Sequence, residues 1–532
     1  MKIKFMLLCN SLAAFVLSSL LLAPTCLAVT VPSIFGDQMV LQRDAKVPIW
    51  GTANPNAKIT VRLGAIEVKT EADGAGNWMA LLDPMTASSQ AQTLTITSDQ
   101  NERNVSLANV LIGDVWIGSG QSNMAGRVSS YAKNDQTLAE IAKRPDHPQI
   151  RLMVGGPKPQ WVSATADNVA GFSALLFSFG ERLQRDLDVP IGLMVGAVGG
   201  TPSGSWIPPK TFANSELCKQ SIAEFAVTYD PQAEQKKYES ALADWNERVA
   251  KAKAEGTKAR GRKPNRPLGP GTSSRGGKIG GLYERFIESM VGYRIRGVLW
   301  DQGEARSGVV GVDQFTMMTE LIRGWREAWG QGDFPFLFVQ KTSGGGCAFS
   351  NENPITRNGN PFTPQPTGLP KRPNRGRETI DRVMYTKLMQ TNHNAWMVPA
   401  SDLGSGIHPT NKWGYGNRAA EVALDKVYDE AVQAYGPIYR SHVIKGNQVI
   451  ISFDETGKGL TQAHSDRLQG FTIAGADGTW HWADAKISGD TVVVSSEMVP
   501  EPQRVRFAYA DDRSWANLFN QDGLPALAFE TP

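Results

Sequence analysis

Cysteine is scarce in this 532-residue chain, which has only four, and none belongs to a Cys-x-x-Cys pair. Paired histidines at metal-ligand spacing are also absent, so the sequence shows no structural zinc site. Cys9 and Cys26 lie in the N-terminal leader, which leaves Cys218 and Cys347 in the rest of the chain. Those two could pair in an oxidising compartment, but their wide separation in sequence does not decide it. We therefore expect neither a metal site nor a cofactor.

The chain also lacks an excess of charge of either sign. Its formal net charge is +3, and removal of Lys2 and Lys4 with the leader lowers this to +1. A near-neutral protein has no extended basic surface for nucleic acid. The sequence therefore argues against a nucleic-acid partner.

Long apolar runs are missing as well, except at the amino terminus. Lys2 and Lys4 precede an apolar stretch over residues 5–22, and small residues follow up to Ala28. This pattern predicts a signal peptide over residues 1–28 and a secreted or periplasmic protein. Polar residues interrupt the stretch and Pro24 ends it, which argues against a retained membrane anchor.

Short alternating runs separated by turn residues characterise both ends of the remaining chain. Ile59–Leu63 and Leu94–Thr97 are examples near the amino terminus, and Val449–Phe453 and Thr491–Ser495 near the carboxyl terminus. Strands at this spacing predict β-sandwich-like domains over residues 29–107 and 436–532.

The middle of the chain, residues 108–435, alternates buried-strand runs with helical stretches. The strand runs are Val115–Ile117, Ile191–Val195, Ile295–Trp300, Phe334–Val339 and Ala395–Pro399. The helical stretches place apolar residues on one face, namely Phe172, Leu176, Phe179 and Leu183 in one and Phe315, Met318, Ile322, Trp325 and Trp329 in another. The alternation predicts an α/β domain whose parallel sheet is covered by helices on both faces.

Two insertions interrupt this domain. Residues 231–275 begin as a charged helix, Glu234 to Lys253, and end in a basic and Gly/Ser-rich tail, which we interpret as a solvated surface excursion. Residues 343–378 are rich in Gly, Pro and Asn, and we expect them to form a polar loop over the functional site.

The segment Gly120-Gln121-Ser122-Asn123-Met124 follows the first strand run of the α/β domain. Gly120 permits a sharp turn, and the backbone N–H groups after it can point towards an oxyanion. Met124 excludes the G-x-S-x-G elbow of α/β-hydrolases. A serine in this position is commonly a helix cap, so its role depends on what accompanies it.

Three further clusters follow predicted strands, where a parallel sheet brings side chains to one edge. They are Gly196–Thr201, Trp300–Glu304 and Asp402–Pro409. Acyl transfer needs a nucleophile, a base and oxyanion donors. Ser122 and His408 can supply the first two, and Gly199 or Gly200 with Gln302 or Asn123 can supply the donors. Glu304 could orient the imidazole or could form an ion pair.

The blocks Ile34–Arg43, Gly113–Met124, Gly199–Pro202 with Trp206, Ile407–Lys412, Gly470–Gly475 and Ala516–Asn520 resemble the SGNH/GDSL hydrolase superfamily. Within it they are most similar to the sialate O-acetylesterase-like group of bacterial secreted carbohydrate esterases. The resemblance implies a three-layer α/β/α domain with Ser122 as nucleophile and His408 as base. It also implies an oxyanion hole made of the Ser122 N–H, a glycine of Gly199-Gly200 and an amide such as Gln302.

Two blocks depart from the family pattern. Asp301 replaces a tyrosine and Ala305-Arg306 replace Ser-Asn in the third block, while Ser405 and Gly406 occupy the places where an aspartate often precedes the histidine. The third member of the triad is therefore Glu304 or Asp402, in that order of preference. A serine–histidine pair with an oxyanion hole would still retain part of the rate enhancement.

The leading functional hypothesis is a secreted serine esterase that removes O-acetyl groups from a sugar without a metal. Sialate is the substrate that gives the family its name, and acetylated xylan or another polysaccharide is the alternative. A catalytically decayed carbohydrate-binding protein is the hypothesis from another class.

Overall fold

The computed structural model of the protein describes residues 28–100, 103–274, 277–340, 345–364, 377–510 and 513–532. The predicted signal peptide, except Ala28, lies outside these residues. Within them, no helix is both long enough and apolar enough to cross a membrane. Cys218 and Cys347 are buried free thiols that belong to separate hydrophobic clusters.

The amino-terminal region is built mainly from antiparallel strands, although β1 pairs parallel with β7. Its strands are β1 (Val40–Gln42), β2 (Val47–Thr52), β3 (Lys58–Leu63), β4 (Ile66–Glu71), β5 (Asn77–Leu82), β6 (Ser88–Ser98) and β7 (Val105–Gly120). β2 pairs with β5, and β4, β3, β6 and β7 follow one another in a second sheet. Strands β3 and β5 alternate buried and exposed residues, because one face covers the core and the other meets solvent.

Strand β7 belongs to two parts of the molecule. Its first half pairs antiparallel with β6, and its second half lies in the central parallel sheet. At 16 residues it is about 50 Å long, which allows it to cross from one region into the next. The central sheet is therefore mixed, whereas the sequence predicted a purely parallel one.

Strands and helices alternate through the middle of the chain, as predicted. The elements are α1 (Ser122–Ala125), α2 (Val128–Tyr131), α3 (Gln136–Ala142), β8 (Asp146–Val154), β9 (Trp161–Thr165), α4 (Ala166–Gly171), α5 (Ala174–Leu187), β10 (Ile191–Ala197), α6 (Pro209–Asn214), α7 (Glu216–Thr228), α8 (Pro231–Ala254), α9 (Gly281–Phe286), β11 (Gly297–Asp301), α10 (Gln314–Trp329), β12 (Phe336–Val339), α11 (Arg377–Thr391), β13 (Ala395–Val398) and α12 (Lys412–Tyr428). Short 3₁₀ turns lie at Ser203–Ser205 and Glu288–Met290.

The central sheet has the order β13-β12-β11-β7-β10-β8-β9, and all neighbours except β8 and β9 are parallel. Helix α5 packs on one face, where Phe179 contacts Trp116 edge to face. Helix α10 packs on the other face, where Trp325 contacts Trp300. Phe179 and Trp325 belong to the two helix faces that the apolar spacing predicted, and both faces are buried apart from the half-buried Phe315. Phe172 is buried too, but it lies before α5 in extended backbone and not on the helix. The parallel pairing of β7 with β10 and with β11 places the carboxyl ends of the three strands side by side at one edge of the sheet.

The carboxyl-terminal region is again made of strands. They are β14 (Ile438–Lys445), β15 (Gln448–Asp454), β16 (Leu460–Gln462), β17 (Phe471–Ala474), β18 (Trp480–Trp482), β19 (Asp484–Ser488), β20 (Thr491–Ser495), β21 (Arg504–Phe507), β22 (Leu518–Asn520) and β23 (Phe529–Glu530). They form antiparallel sheets of the orders β14-β15-β20-β19 and β18-β17-β21-β23, with β16 paired to β22. A separate hydrophobic cluster, which includes Val449, Phe471 and Val494, lies within this region.

The two insertions differ in structure. The first contains α8, which begins with Pro231 after Asp230; the Asp230 side chain accepts hydrogen bonds from two backbone N–H groups of the first turn. This confirms the predicted charged helix. Of the second insertion, residues 345–364 are described and contain neither helix nor strand, while its last two residues, 377 and 378, begin helix α11.

Candidate active site

Ser122 lies at the turn between strand β7 and helix α1. Gly120 ends β7 with φ +128°, and a Cβ at this position would lie 2.1 Å from the carbonyl oxygen of Asp301 on the neighbouring strand β11. The Gln121 N–H donates to that same carbonyl at 2.8 Å. Only glycine fits such a close backbone approach, so the Gly120 turn fixes Ser122 at the carboxyl edge of the sheet.

The structure brings Ser122 and His408 together, although they are 286 positions apart in sequence. The Ser122 hydroxyl oxygen and the His408 Nε2 are 2.8 Å apart, so the hydroxyl can donate to the ring nitrogen. Ser122 is half-buried and His408 is exposed. Both groups are therefore accessible from solvent in a geometry suited to proton transfer from the hydroxyl.

The loop that carries His408 is held by the helix that follows it. Asn411 caps helix α12 by accepting from the Gly414 N–H at 3.0 Å. Its amide donates to the Ile355 carbonyl at 2.7 Å, which links the loop to the second insertion. Gly404 and Gly406 have φ values of +113° and +87°, so the backbone before His408 uses conformations that favour glycine.

Each of the two candidate carboxylates is directed at a group other than the histidine. Both oxygens of the fully buried Asp402 accept from the Arg418 guanidinium, at 3.1 and 3.0 Å. Glu304 accepts from the Gln121 side chain at 2.6 Å and thereby anchors the residue before the nucleophile. In the described part of the chain, no carboxylate is hydrogen-bonded to the His408 ring.

The candidate oxyanion donors fall into two groups. Gly199 lies next to the serine, because a Cβ built on it would be 3.5 Å from the Ser122 Cβ, and Gly200 follows with φ +70°. The Gln302 amide, in contrast, donates to the Arg306 carbonyl at 3.0 Å and accepts from Gln314. The Asn123 amide donates to the Ile407 carbonyl at 3.1 Å. Gly199 thus lies beside Ser122, whereas both side-chain amides bond to other partners.

Sequence reasoning missed Lys412, which is fully buried behind the serine. Its ammonium donates to the Asn123 side-chain oxygen at 2.7 Å and lies 4.7 Å from the Tyr131 ring centre. Burial lowers the pKa of Lys412 to about 8, against the opposing charges of Asp301 and Glu304. The signal available in the sequence was the lysine that ends the block Ile407–Lys412, at the start of a helix with a buried face.

Asp301, which stands where the family pattern has a tyrosine, interacts with Lys412. Its side chain is buried, and burial together with the charge of Glu304 raises its pKa to about 8. Lys412 opposes this rise. Lys412, Asp301 and Glu304 thus form a group of interacting charges, in which Lys412 bonds to Asn123 and Glu304 to Gln121, the two neighbours of Ser122.

Comparison with known proteins shows which families and folds this chain resembles. Residues 112–255 match the family described as carbohydrate esterase, sialic acid-specific acetylesterase. The sialate O-acetylesterases of Pongo abelii and Homo sapiens are each 26% identical over 348 residues, covering 58% of this chain and 57% of the relative. The chain thus aligns with little more than half the length of these relatives.

A solved structure extends the likeness to the whole fold. A carbohydrate acetylesterase from Xanthomonas citri matches with a TM-score of 0.70 and 24% identity, over 95% of this chain and 100% of that chain. At this identity the match shows a shared fold.

The fold and the site define an α/β protein that presents a serine–histidine pair at the carboxyl edge of a parallel sheet. Residues 112–255 are similar to the sialic acid-specific acetylesterase family, and 58% of the chain is similar to the curated sialate O-acetylesterases. The family match includes Ser122 and Gly199 but ends before His408. The place of His408 in the site therefore depends on its 2.8 Å contact with Ser122.

Proposed function

We propose that this protein is a carboxylic ester hydrolase that removes O-acetyl groups from sugars through an acetyl-serine intermediate. The observation that carries this proposal is the 2.8 Å contact between the Ser122 hydroxyl and His408 Nε2 at the end of β7. A hydroxyl next to an imidazole, with backbone donors beside it, is the arrangement that acyl transfer requires.

In the first half of the reaction, Ser122 Oγ attacks the acetyl carbonyl carbon while His408 Nε2 takes the hydroxyl proton. The carbonyl oxygen becomes an oxyanion, to which we assign the N–H groups of Ser122 and Gly199. The bond to the sugar oxygen then breaks, and His408 returns the proton to that oxygen. The products are a free sugar hydroxyl and acetyl-Ser122.

In the second half, water attacks the acetyl-serine carbonyl and His408 takes one of its protons. The tetrahedral intermediate collapses, acetate leaves, and the proton returns to Ser122 Oγ. The exposure of His408 supports this step because water can reach the ring. No step needs a metal ion.

The finer assignments are parts of the same proposal. Helices α5 and α10 on opposite faces of the sheet support an SGNH-type three-layer domain. The apolar stretch of residues 5–22 supports cleavage after Ala28 and a secreted or periplasmic location. The expected partner is an O-acetylated carbohydrate, with no nucleic acid and no stable membrane anchor.

Sialate is the first choice of substrate because the curated relatives are sialate O-acetylesterases. Acetylated xylan or another polysaccharide is the alternative. Acetate release from O-acetylated sialic acid and from acetylated xylan, measured side by side, distinguishes the two.

Hydrolysis of p-nitrophenyl acetate tests the activity itself. We expect Ser122→Ala and His408→Ala to lower kcat/KM by at least about 10³-fold, because each removes a reacting group. Ser130→Ala is the matched control, since Ser130 is an exposed serine on the neighbouring helix α2. Equal rates in the wild type and Ser122→Ala would refute the proposed serine esterase activity. Sugar binding without hydrolysis would instead support the decayed carbohydrate-binding protein.

A further inference from the structure

Asn123 connects the two halves of the site through its side chain. It follows Ser122 in sequence and is fully buried. Its Nδ2 donates to the carbonyl of Ile407 at 3.1 Å, and its Oδ1 accepts from Lys412 at 2.7 Å. The backbone directly before His408 is therefore hydrogen-bonded to the side chain directly after the nucleophile.

Lys412 determines which way this amide faces. An ammonium group can only donate, so the oxygen of Asn123 must face Lys412 and the nitrogen must face Ile407. If the amide were rotated by 180°, its N–H groups would face the ammonium and its oxygen would face the Ile407 carbonyl. The pair is thus a directional link in which Lys412 orients Asn123 and Asn123 holds the carbonyl of Ile407.

A buried ammonium is costly unless its surroundings compensate it. Lys412 has compensation on two sides. It lies 4.7 and 5.3 Å from the ring centres of Tyr131 and Tyr415, and the charges of Asp301 and Glu304 favour its protonated form. These contacts hold Lys412 behind the Ser122 turn.

His408 needs such a link because its ring has little other support. In a serine–histidine–aspartate triad, a carboxylate orients the imidazole through the nitrogen remote from the serine. In the described residues no carboxylate bonds to His408, and the ring is exposed. Its position therefore depends on the backbone of its loop.

We propose that Asn123 and Lys412 are positioning residues that hold the His408 loop against the Ser122 turn in place of a triad carboxylate. This inference rests on the proposed esterase activity. It assigns the Asn123 amide to the Ile407 carbonyl and not to the oxyanion.

The test compares Asn123→Asp and Lys412→Met with the wild type in p-nitrophenyl acetate hydrolysis. Asn123→Asp keeps an acceptor for Lys412 but loses the donor to Ile407, and Lys412→Met keeps the length of the side chain but loses its donor. We expect each to lower kcat about 10–100-fold with KM within about twofold, because a misplaced base slows the chemical step. The rate at which a fluorophosphonate labels Ser122 should fall in parallel.

Tyr293→Phe is the control for stability. It removes a buried hydrogen bond of 2.7 Å, to the Val40 carbonyl, away from the Ser122 turn. We expect it to lower the unfolding temperature without changing kcat. If the activity of Asn123→Asp and Lys412→Met falls only in proportion to the amount of folded protein, the two residues have a purely structural role. That result would overturn the inference.

The outcomes separate this inference from the proposed activity. An active wild type, an inactive Ser122→Ala and fully active Asn123→Asp and Lys412→Met would overturn the inference alone. Background rates in the wild type would overturn both. If Lys412→Met does not fold, Asn123→Asp decides the matter, since it retains the acceptor for the buried ammonium.

Discussion

At the scale of single residues, the question is what Asp402 does. It lies six positions before His408, and its two carboxylate oxygens accept from Arg418 at 3.1 and 3.0 Å in a fully buried pair. Arg418 also contacts Glu421 at 3.2 Å. An arginine that loses one carboxylate in such surroundings stays charged and becomes poorly compensated. These contacts give Asp402 a role in stability.

We therefore predict that Asp402→Asn lowers the free energy of unfolding by about 3 kcal/mol, as expected when one partner of a buried ion pair is removed. The folded variant should keep kcat within a few-fold. Urea unfolding and p-nitrophenyl acetate kinetics measure the two effects. Asp454→Asn is the control, because its pair with Arg440 is exposed and contributes about 1 kcal/mol or less. Unchanged stability with a 100-fold loss of kcat would make Asp402 the triad carboxylate.

Asp301 is the residue whose charge state should vary with pH. One of its carboxylate oxygens has no hydrogen-bond partner among the described residues, and burial raises its pKa to about 8. In the unfolded chain the pKa of an aspartate is about 3.9. A raised pKa in the folded state favours folding at low pH, and this contribution is lost as the pH rises towards 8.

We predict that Asp301→Asn abolishes the loss of stability that Asp301 causes as the pH rises. The free energy of unfolding of the variant, relative to that of the wild type, should increase by about 1–2 kcal/mol between pH 5 and pH 8, since one pKa unit corresponds to about 1.4 kcal/mol. The ammonium of Lys412 limits the size of the effect. Urea unfolding at both pH values measures it, and a difference that stays constant or decreases with pH would contradict the prediction.

At the scale of elements, the turn from β7 into α1 controls the position of Ser122. Gly120 combines a φ of +128° with a backbone oxygen 2.1 Å from where its Cβ would be. We predict that Gly120→Ala lowers kcat/KM at least about 100-fold, because β7 and β11 must separate to admit the methyl group. Gly36→Ala is the control, since nothing lies within 4 Å of its Cβ position. Nearly full activity in Gly120→Ala would show that the turn tolerates this shift.

Much of the central domain could be predicted from the sequence because its strands are continuous apolar runs. Strands β8 and β9 were not predicted, and β7 was predicted too short, since only Val115–Ile117 were assigned to it and the strand begins at Val105. Asn109, with φ +57°, interrupts the strand near a register shift in its pairing with β6. Such an irregularity breaks the alternation that identifies a strand. The sequence analysis therefore placed a domain boundary, between residues 107 and 108, within what is a single strand.

The site was predictable to the extent that its groups follow strands. Ser122, Gly199 and His408 could be identified because each lies in a glycine-containing segment after an apolar run, and the structure brings them together. The uses of the Gln302 and Asn123 amides were not predictable. The Gln302 amide donates to the carbonyl of Arg306 and the Asn123 amide to that of Ile407. Every residue has a backbone carbonyl, so the sequence does not indicate which one an amide will bind.

At the scale of the whole molecule, the described part of the second insertion joins the His408 loop to the carboxyl-terminal strands. The Gly346 N–H donates to the Ser401 carbonyl at 2.5 Å, next to Asp402. On the other side the Thr363 N–H donates to the Ser514 carbonyl at 3.1 Å. The Phe349 and Phe519 rings pack with their centres 5.3 Å apart. Residues 345–364 therefore form a continuous layer of contacts between the site and strand β22.

This connection predicts that the carboxyl-terminal region affects catalysis without touching the substrate. We expect Phe519→Leu to lower kcat several-fold with KM unchanged, because it weakens the support of residues 345–364 and hence of the His408 loop. Phe453→Leu is the matched control, since Phe453 is a buried phenylalanine of the same region that packs against Phe529 and belongs to a different hydrophobic cluster from Phe519 and Phe349. Each substitution should lower the free energy of unfolding by about 1 kcal/mol. Kinetics and urea unfolding of both variants make the comparison, and equal kcat values in the two would show that the carboxyl-terminal region stabilises the fold without positioning His408.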